Sequence, residues 1–193
     1  MRNVLRHAPA AGLSLFLASI ACQSAGVQRA YMALDGTGAR KRTAFYTDTD
    51  QIWCDVDYSS GRKDLTINAT IRATALYNPV SGVVEPVDAR LAVGEVVGQT
   101  GTGTTAGFQW QLLDAMGSPA ASGTQPYPVG DFVCDISLDG QLMESLPYSV
   151  SFPDCPVPAI IDALPCLGWV APNSVCPGVS GLPCVCRDGV WAC

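Results

Sequence analysis

Histidine is almost missing: the 193 residues contain one, His7. Beyond that position no Ser-His-Asp triad, Cys-His pair or His-ligated zinc can be assembled. Charge is scarce too, at 15% of residues, and basic charge scarcest, with 11 Lys and Arg against 17 Asp and Glu and a formal net charge of -6. Nucleic acid is therefore not an expected partner, since phosphate binding rests on Lys and Arg. No stretch reaches eighteen consecutive apolar residues, so no transmembrane helix is expected. No cofactor motif is present either. Gly101-Thr102-Gly103-Thr104-Thr105 lacks the Gly-Lys-Ser/Thr ending and following helix of a phosphate loop, and reads as a flexible loop.

What the chain has in quantity is apolar residues (48%), glycine (19), proline (14) and cysteine (9). That apolar content suffices for a core, and the length suits one domain plus an appendage.

Arg2 and Arg6 precede an apolar run at 12–21 that ends in small residues. This is the layout of a secretory signal peptide over 1–21, and its loss leaves a charge of 9 - 17 = -8. Ser19-x-Ala21 also fits ordinary cleavage before a free Cys22. Ser19-Ile20-Ala21-Cys22 resembles the lipoprotein box of bacteria, although that family usually has Leu, Val or Ile where Ser19 stands. The resemblance implies that Cys22 becomes the acylated first residue of the mature chain and a lipid anchor to the membrane. Gln23 after the cysteine implies the outer membrane. Nine cysteines is an odd number, and acylation of Cys22 leaves eight for four bridges. Residues 22–41 read as a tether, and Arg40-Lys41-Arg42 as a solvated strand start.

Over 42–152 the dominant signal has period two. Ile52, Cys54, Val56 and Tyr58 alternate with Trp53, Asp55 and Asp57, so the two acids fall on the wet face. Leu65 to Thr74 and Phe132 to Leu138 alternate in the same way, and Asp139-Gly140 supplies a hairpin turn before a return strand, Leu142 to Phe152. Further strands are expected at Thr43–Thr47, Val83–Ala92 and Gly107–Leu113. Short strands separated by Gly, Pro and Asx clusters predict an all-β antiparallel sandwich.

Cys54 and Cys134 share the buried parity of their strands, and Gly130-Asp131-Phe132-Val133-Cys134 resembles the approach to the second cysteine in the immunoglobulin superfamily. That resemblance implies an immunoglobulin-like sandwich and a bridge between Cys54 and Cys134. Phe132 replaces the usual Tyr, and no Trp lies between Trp53 and Trp110, so the antibody-type corner and strand C Trp are absent. The run from Pro128 through Asp139-Gly140 to Val150 is similar to the closing hairpin of bacterial extracellular sandwich modules.

Residues 153–193 hold Cys155, Cys166, Cys176, Cys184, Cys186 and Cys193 together with seven prolines. So short a segment buries little, and a disulfide-stapled irregular module with three bridges is expected. Fifteen pairings are open, although Cys184 and Cys186 are not expected to join each other. A short helix at Val157–Leu164 fits between prolines. Cys184 to Cys193 resembles the Cys-x-Cys ending of von Willebrand factor type C and growth-factor-like modules. Zinc and redox readings of these cysteines fit poorly with export.

Asp48-Thr49-Asp50 and Asp55-Val56-Asp57 offer paired carboxylates, but EF-hand spacing is missing and no metal site is expected. Asn68-Ala69-Thr70 matches a glycosylation acceptor, which carries little weight in the bacterial source that the lipoprotein-box resemblance implies. Trp53, on an outer face, and Trp191, in the stapled hairpin, are the candidate binding residues. The expectation is a non-enzymatic, exported cell-envelope protein, either an outer-membrane lipoprotein or extracellular or periplasmic. It would bind or adhere to an envelope protein or surface polysaccharide. The alternative is a protease inhibitor acting through Pro172–Pro183.

Overall fold

Alternating apolar and polar residues become strands wherever a second sheet is present to cover the apolar face. The computed structural model describes residues 25–97, 101–112, 116, 118–121, 123, 125–155, 163–179 and 181–193. The expected signal peptide 1–21, Cys22 and nearly all of the expected helix at Val157–Leu164 lie outside the described residues. Among those described, every regular element is a strand: β1 (Gly26–Ala33), β2 (Ala44–Tyr46), β3 (Trp53–Ser60), β4 (Thr66–Asn78), β5 (Val83–Val97), β6 (Gly101–Gln109), β7 (Gly130–Leu138), β8 (Gln141–Ser151), β9 (Val175–Pro177), β10 (Pro183–Arg187) and β11 (Val190–Ala192).

The first eight strands make two sheets, β1-β3-β6 and β2-β8-β7-β4-β5. With β3 and β7 facing each other, this is an immunoglobulin-like β-sandwich. Cys54 of β3 and Cys134 of β7 are bonded across it, as the resemblance implied. One pair departs from the antiparallel expectation: β2 runs parallel to β8, Ala44 opposite Ser149. Both Asp139 (φ 49°) and Gly140 (φ 79°) adopt the left-handed conformation that the β7–β8 hairpin demands. The Asp139 carboxylate also accepts the Thr66 amide at 3.0 Å and pairs with Arg62.

Two segments differ from their sequence reading. Residues 26–33, read as part of a tether, pair along β3 as an edge strand. Their alternation is hidden in the sequence by a bulge between Val27 and Arg29. Residues 101–107, read as a loop, are the first part of β6. Glycine is needed there for room, since a Cβ on Gly107 would lie 2.8 Å from Asp55 Oδ1.

The core fills from both sheets with Cys54, Val56, Ile67, Ile71, Phe132 and Ile136, all at most 4% exposed. Burying each Ile contributes about 1.5–3 kcal/mol. Trp110, directly after β6, replaces the missing strand C Trp as the large ring of this core, with Tyr127 and Phe132 centroids at 4.9 and 5.1 Å. The Tyr127 hydroxyl donates to the Trp110 carbonyl at 3.0 Å, an aromatic corner of a different origin from the one Phe132 lacks. A tight spot lies where β7 begins beside the bulge in β4: a Cβ on Gly130 would stand 2.1 Å from the Ala75 carbonyl oxygen. Backbone cannot yield there as a side chain can. Gly130→Ala is expected to cost about 2–4 kcal/mol, read as a lowered urea midpoint.

Residues 163–193 carry the small sheet β11-β10-β9. The pairings are Cys155–Cys176, Cys166–Cys186 and Cys184–Cys193. They close loops of 21, 20 and 9 residues, worth roughly 3 kcal/mol each under the chain-entropy model. Four cysteines, Val170 and Trp191 form a separate buried cluster. Sulfur thus does here what a larger apolar core does in the sandwich.

Candidate functional site

The disulfide-stapled C-terminal module forms a knob that is fixed to the sandwich through Thr47, a fully buried residue just past β2. Its amide donates to the Ser151 carbonyl and its own carbonyl accepts the Tyr127 amide, both at 3.0 Å. Its hydroxyl donates to the Trp169 carbonyl of the knob at 2.6 Å. Gly168 (φ 86°) comes so close to Pro126 that a Cβ would lie 2.9 Å from the proline ring. Sandwich and knob therefore meet along Gln125-Pro126-Tyr127-Pro128-Val129.

Two concavities flank that segment, and Tyr127 lines both. One is an apolar groove of about 290 Å³, walled by Tyr77, Pro79, Pro126, Pro128, Phe152 and Leu167. Tyr77 and Phe152 meet edge to face at 5.2 Å, which fixes both rings in the wall. The other, about 250 Å³, is polar and presents Asp50, Gln109, Gln111 and Gln125. Both lie just below the volume of typical small-molecule sites, and match a side chain or two of an extended chain better. Leu167 is 59% exposed and continues the apolar surface onto the knob, where Leu164, Val175 and Val190 are also exposed. Exposed apolar side chains beside an apolar groove are the usual mark of an interaction site. None of these residues follows from alternation; the only hint in the sequence is the Pro-Tyr-Pro run, which presets an extended backbone.

The eight cysteines expected to be bridged are all bridged. The two tryptophans proposed for binding are placed differently. Trp191 is 4% exposed and packs among the sulfurs of the knob, because its strand turns that face inward. Trp53 is on the outer face of β3 as expected, half-buried, with its indole nitrogen donating to Gln51 Oε1 at 2.8 Å. Gly36 lies over its ring, closely enough that a Cβ would be 3.0 Å away.

Asp55, expected on a wet face, is wholly buried, and among the described residues neither carboxylate oxygen has a hydrogen-bond partner. Desolvation first, then the like charges of Asp35 and Asp57, push its carboxyl up to about 6, with Lys41 opposing. Asp57 is also buried but satisfied, by Arg29 at 3.2 Å and the Thr105 hydroxyl at 2.8 Å. The basic triplet is not simply solvated: Arg40 pairs with Asp35 at 3.0 Å and Lys41 stands 3.7 Å over the Tyr31 ring. Asp48 and Asp50 occupy the turn after β2, where the Thr49 amide donates to the Tyr46 carbonyl.

No family model and no curated protein matches the chain. Among solved structures, an immunoglobulin-like protein from Pseudomonas aeruginosa is 12% identical with a TM-score of 0.42, covering 67% of this chain and 98% of that one. A β-glucosidase from Erythrobacter marinus is 14% identical with a TM-score of 0.37, over 66% of this chain but 15% of the enzyme. A Pseudomonas fluorescens alkylpurine DNA glycosylase bound to DNA is 9% identical with a TM-score of 0.35, over 65% and 30%. At such values neither enzyme lends its activity to this chain, and the sandwich stands on its own strand order and inter-sheet bridge.

Proposed function

We propose that this is a non-enzymatic, exported binding module that holds an extended segment of a protein partner along the junction of sandwich and knob. The supporting observation is the pair of concavities sharing Tyr127. Prolines and rings on one side suit apolar or proline-containing side chains, and glutamine amides on the other can pair with the backbone of an extended chain. Thr47 and the bridges hold the two walls at fixed spacing, which lowers the entropy lost on binding. Four disulfides fit an oxidising extracellular or periplasmic environment, and among the described residues no helix is long and apolar enough to cross a membrane. Acylation at Cys22, holding the module on the outer membrane, is part of the same proposal. Asp55, whose carboxyl is raised, is wholly buried in the closed structure and lines neither concavity.

Leu167→Glu tests the site without touching the core, since the side chain is exposed. Crosslinking in envelope extract followed by affinity recovery is expected to yield about thirtyfold less partner than wild type, the loss of one hot-spot contact. Leu142→Glu, at the opposite end of the β7–β8 hairpin, is expected to recover the wild-type amount. Equal recovery by all three proteins removes the junction as the site.

A second reading, protease inhibition through Pro172–Pro183, draws on Val179 and Leu182. They stand exposed (67% and 60%) where the β9–β10 hairpin turns, its arms held by Cys176 and Cys184. Inhibition of any protease in a broad panel at micromolar protein supports it; none at that concentration removes it.

A further inference from the structure

The cover over Asp55 is built in detail. On the outer face of the β1-β3-β6 sheet, Asp55 is opposite Tyr31 of β1 and Gly107 of β6, with Trp53 and Asp57 beside it on β3. Residues 34–41 fold back over this face. Asp35 clasps the turn: its carboxylate accepts the amides of Thr37 and Ala39 at 3.1 Å and the Arg40 guanidinium at 3.0 Å. The Leu34 amide donates to the Arg40 carbonyl at 3.0 Å and the Gly38 amide to the Asp35 carbonyl at 3.2 Å, closing the loop. Two glycines let backbone lie flat on rings. A Cβ on Gly36 would sit 3.0 Å from Trp53, and one on Gly38 (φ 65°) 2.3 Å from Tyr31. The closed cover therefore keeps water from a carboxylate to which the described residues give no hydrogen bond.

We propose that residues 34–41 are a pH-operated cover, closed while Asp55 is protonated and released when it ionises, and that release bares the Trp53 and Tyr31 rings beside two carboxylates. A neutral acid tolerates the dry site, whereas a carboxylate needs water or a donor, and only opening supplies either. The groups facing Asp55 are Tyr31 and Arg29 from β1, Asp57 from its own strand, and Asp35, Arg40 and Lys41 from the cover; β6 contributes Gly107 and Thr105. Arg29 is engaged by Asp57. Thr37 and Arg40 hold the Asp35 carboxyl far below its ordinary value, so the clasp stays charged throughout. Residues 25–193 contain no histidine, so no imidazole titrates in the same range. The uncovered face, two rings with Asp55 and Asp57, is suited to a cationic ligand such as a lysine- or arginine-rich peptide.

Hydrogen exchange of the full chain measured at pH 4.5 and 8, corrected for intrinsic rates, tests this. Protection of the Leu34, Gly38 and Arg42 amides is expected to fall by about tenfold or more from acid to alkaline pH, with a midpoint near that of Asp55. In Asp55→Asn, protection at these amides is expected to be the same at both values. Should that variant not fold, the wild-type midpoint still decides, together with the Asp55 side-chain carboxyl followed by carbon-13 NMR. Constant protection in the wild type, or a fall that persists in Asp55→Asn, overturns the proposal. A partner bound at the junction leaves these amides unchanged, so this result and that of Leu167→Glu are independent.

Discussion

Replacing Cys54 and Cys134 together by alanine is expected to cost the sandwich about 4–5 kcal/mol, enough to leave it barely folded at 37 °C. The bridge closes 80 residues, so in the chain-entropy model it removes more freedom from the unfolded chain than any of the shorter knob bridges. Total stability for a domain of this size is about 5–15 kcal/mol, and one bridge is then a third or more of it. With a urea m-value of about 2 kcal/mol/M, the midpoint shifts down by roughly 2 M. A loss below about 1 kcal/mol would show that packing between the sheets, through Val56, Ile71 and Phe132, holds them without the sulfur.

Asp55→Asn is expected to act with opposite sign at the two ends of the pH scale. The carboxyl stands at about 6 in the folded protein against an ordinary 3.8. Its raised value means that the folded state binds the proton more tightly than the unfolded chain. The associated stability is full in acid, below the ordinary value, and is lost as pH rises to about 6. Above that, the closed fold carries the cost of the buried charge, at most about 3 kcal/mol at 1.36 kcal/mol per unit, and release of residues 34–41 relieves part of it. An amide of the same shape does not titrate. The stability difference between variant and wild type is therefore expected to move by up to about 2.5 kcal/mol in the variant's favour from pH 4 to pH 8. Part of that gain at pH 8 is offset by the amide's own unmet donors, about 1–3 kcal/mol, which also leave it less stable than wild type at pH 4. Urea midpoints at the two pH values measure this directly. A difference that does not vary with pH would mean water reaches Asp55 in the closed state.

These expectations depend on features of unequal visibility in the sequence. Alternation at Cys54-Val56-Tyr58 and Phe132-Cys134-Ile136 reveals the inward faces because a period of two reports which side of a strand is apolar. The same rule placed Asp55 on the outside, correctly, but it cannot say what lies over that side. The covering turn is made by a segment whose strand is disguised by the bulge after Val27, and its Asp-Gly-Thr-Gly composition reads as linker until Trp53 and Tyr31 are seen beneath it. Gly107 hid β6 for a related reason: it is small because a neighbouring strand fills its space, not because the chain is loose. The junction was invisible because Thr47, Tyr127 and Trp169 are brought together by contacts over 80 and 122 positions, which no local pattern records. Trp191 illustrates the converse, since a ring beside cysteines reads as surface until three bridges enclose it.

Oxidised sulfur holds this molecule in shape, between the sheets and throughout the knob. Non-reducing peptide mapping of the exported protein, alkylated before digestion, tests it most directly. Four crosslinked pairs are expected, 54–134, 155–176, 166–186 and 184–193, with none of those eight cysteines alkylated. Alkylation at any of the eight, or a different set of partners, contradicts it.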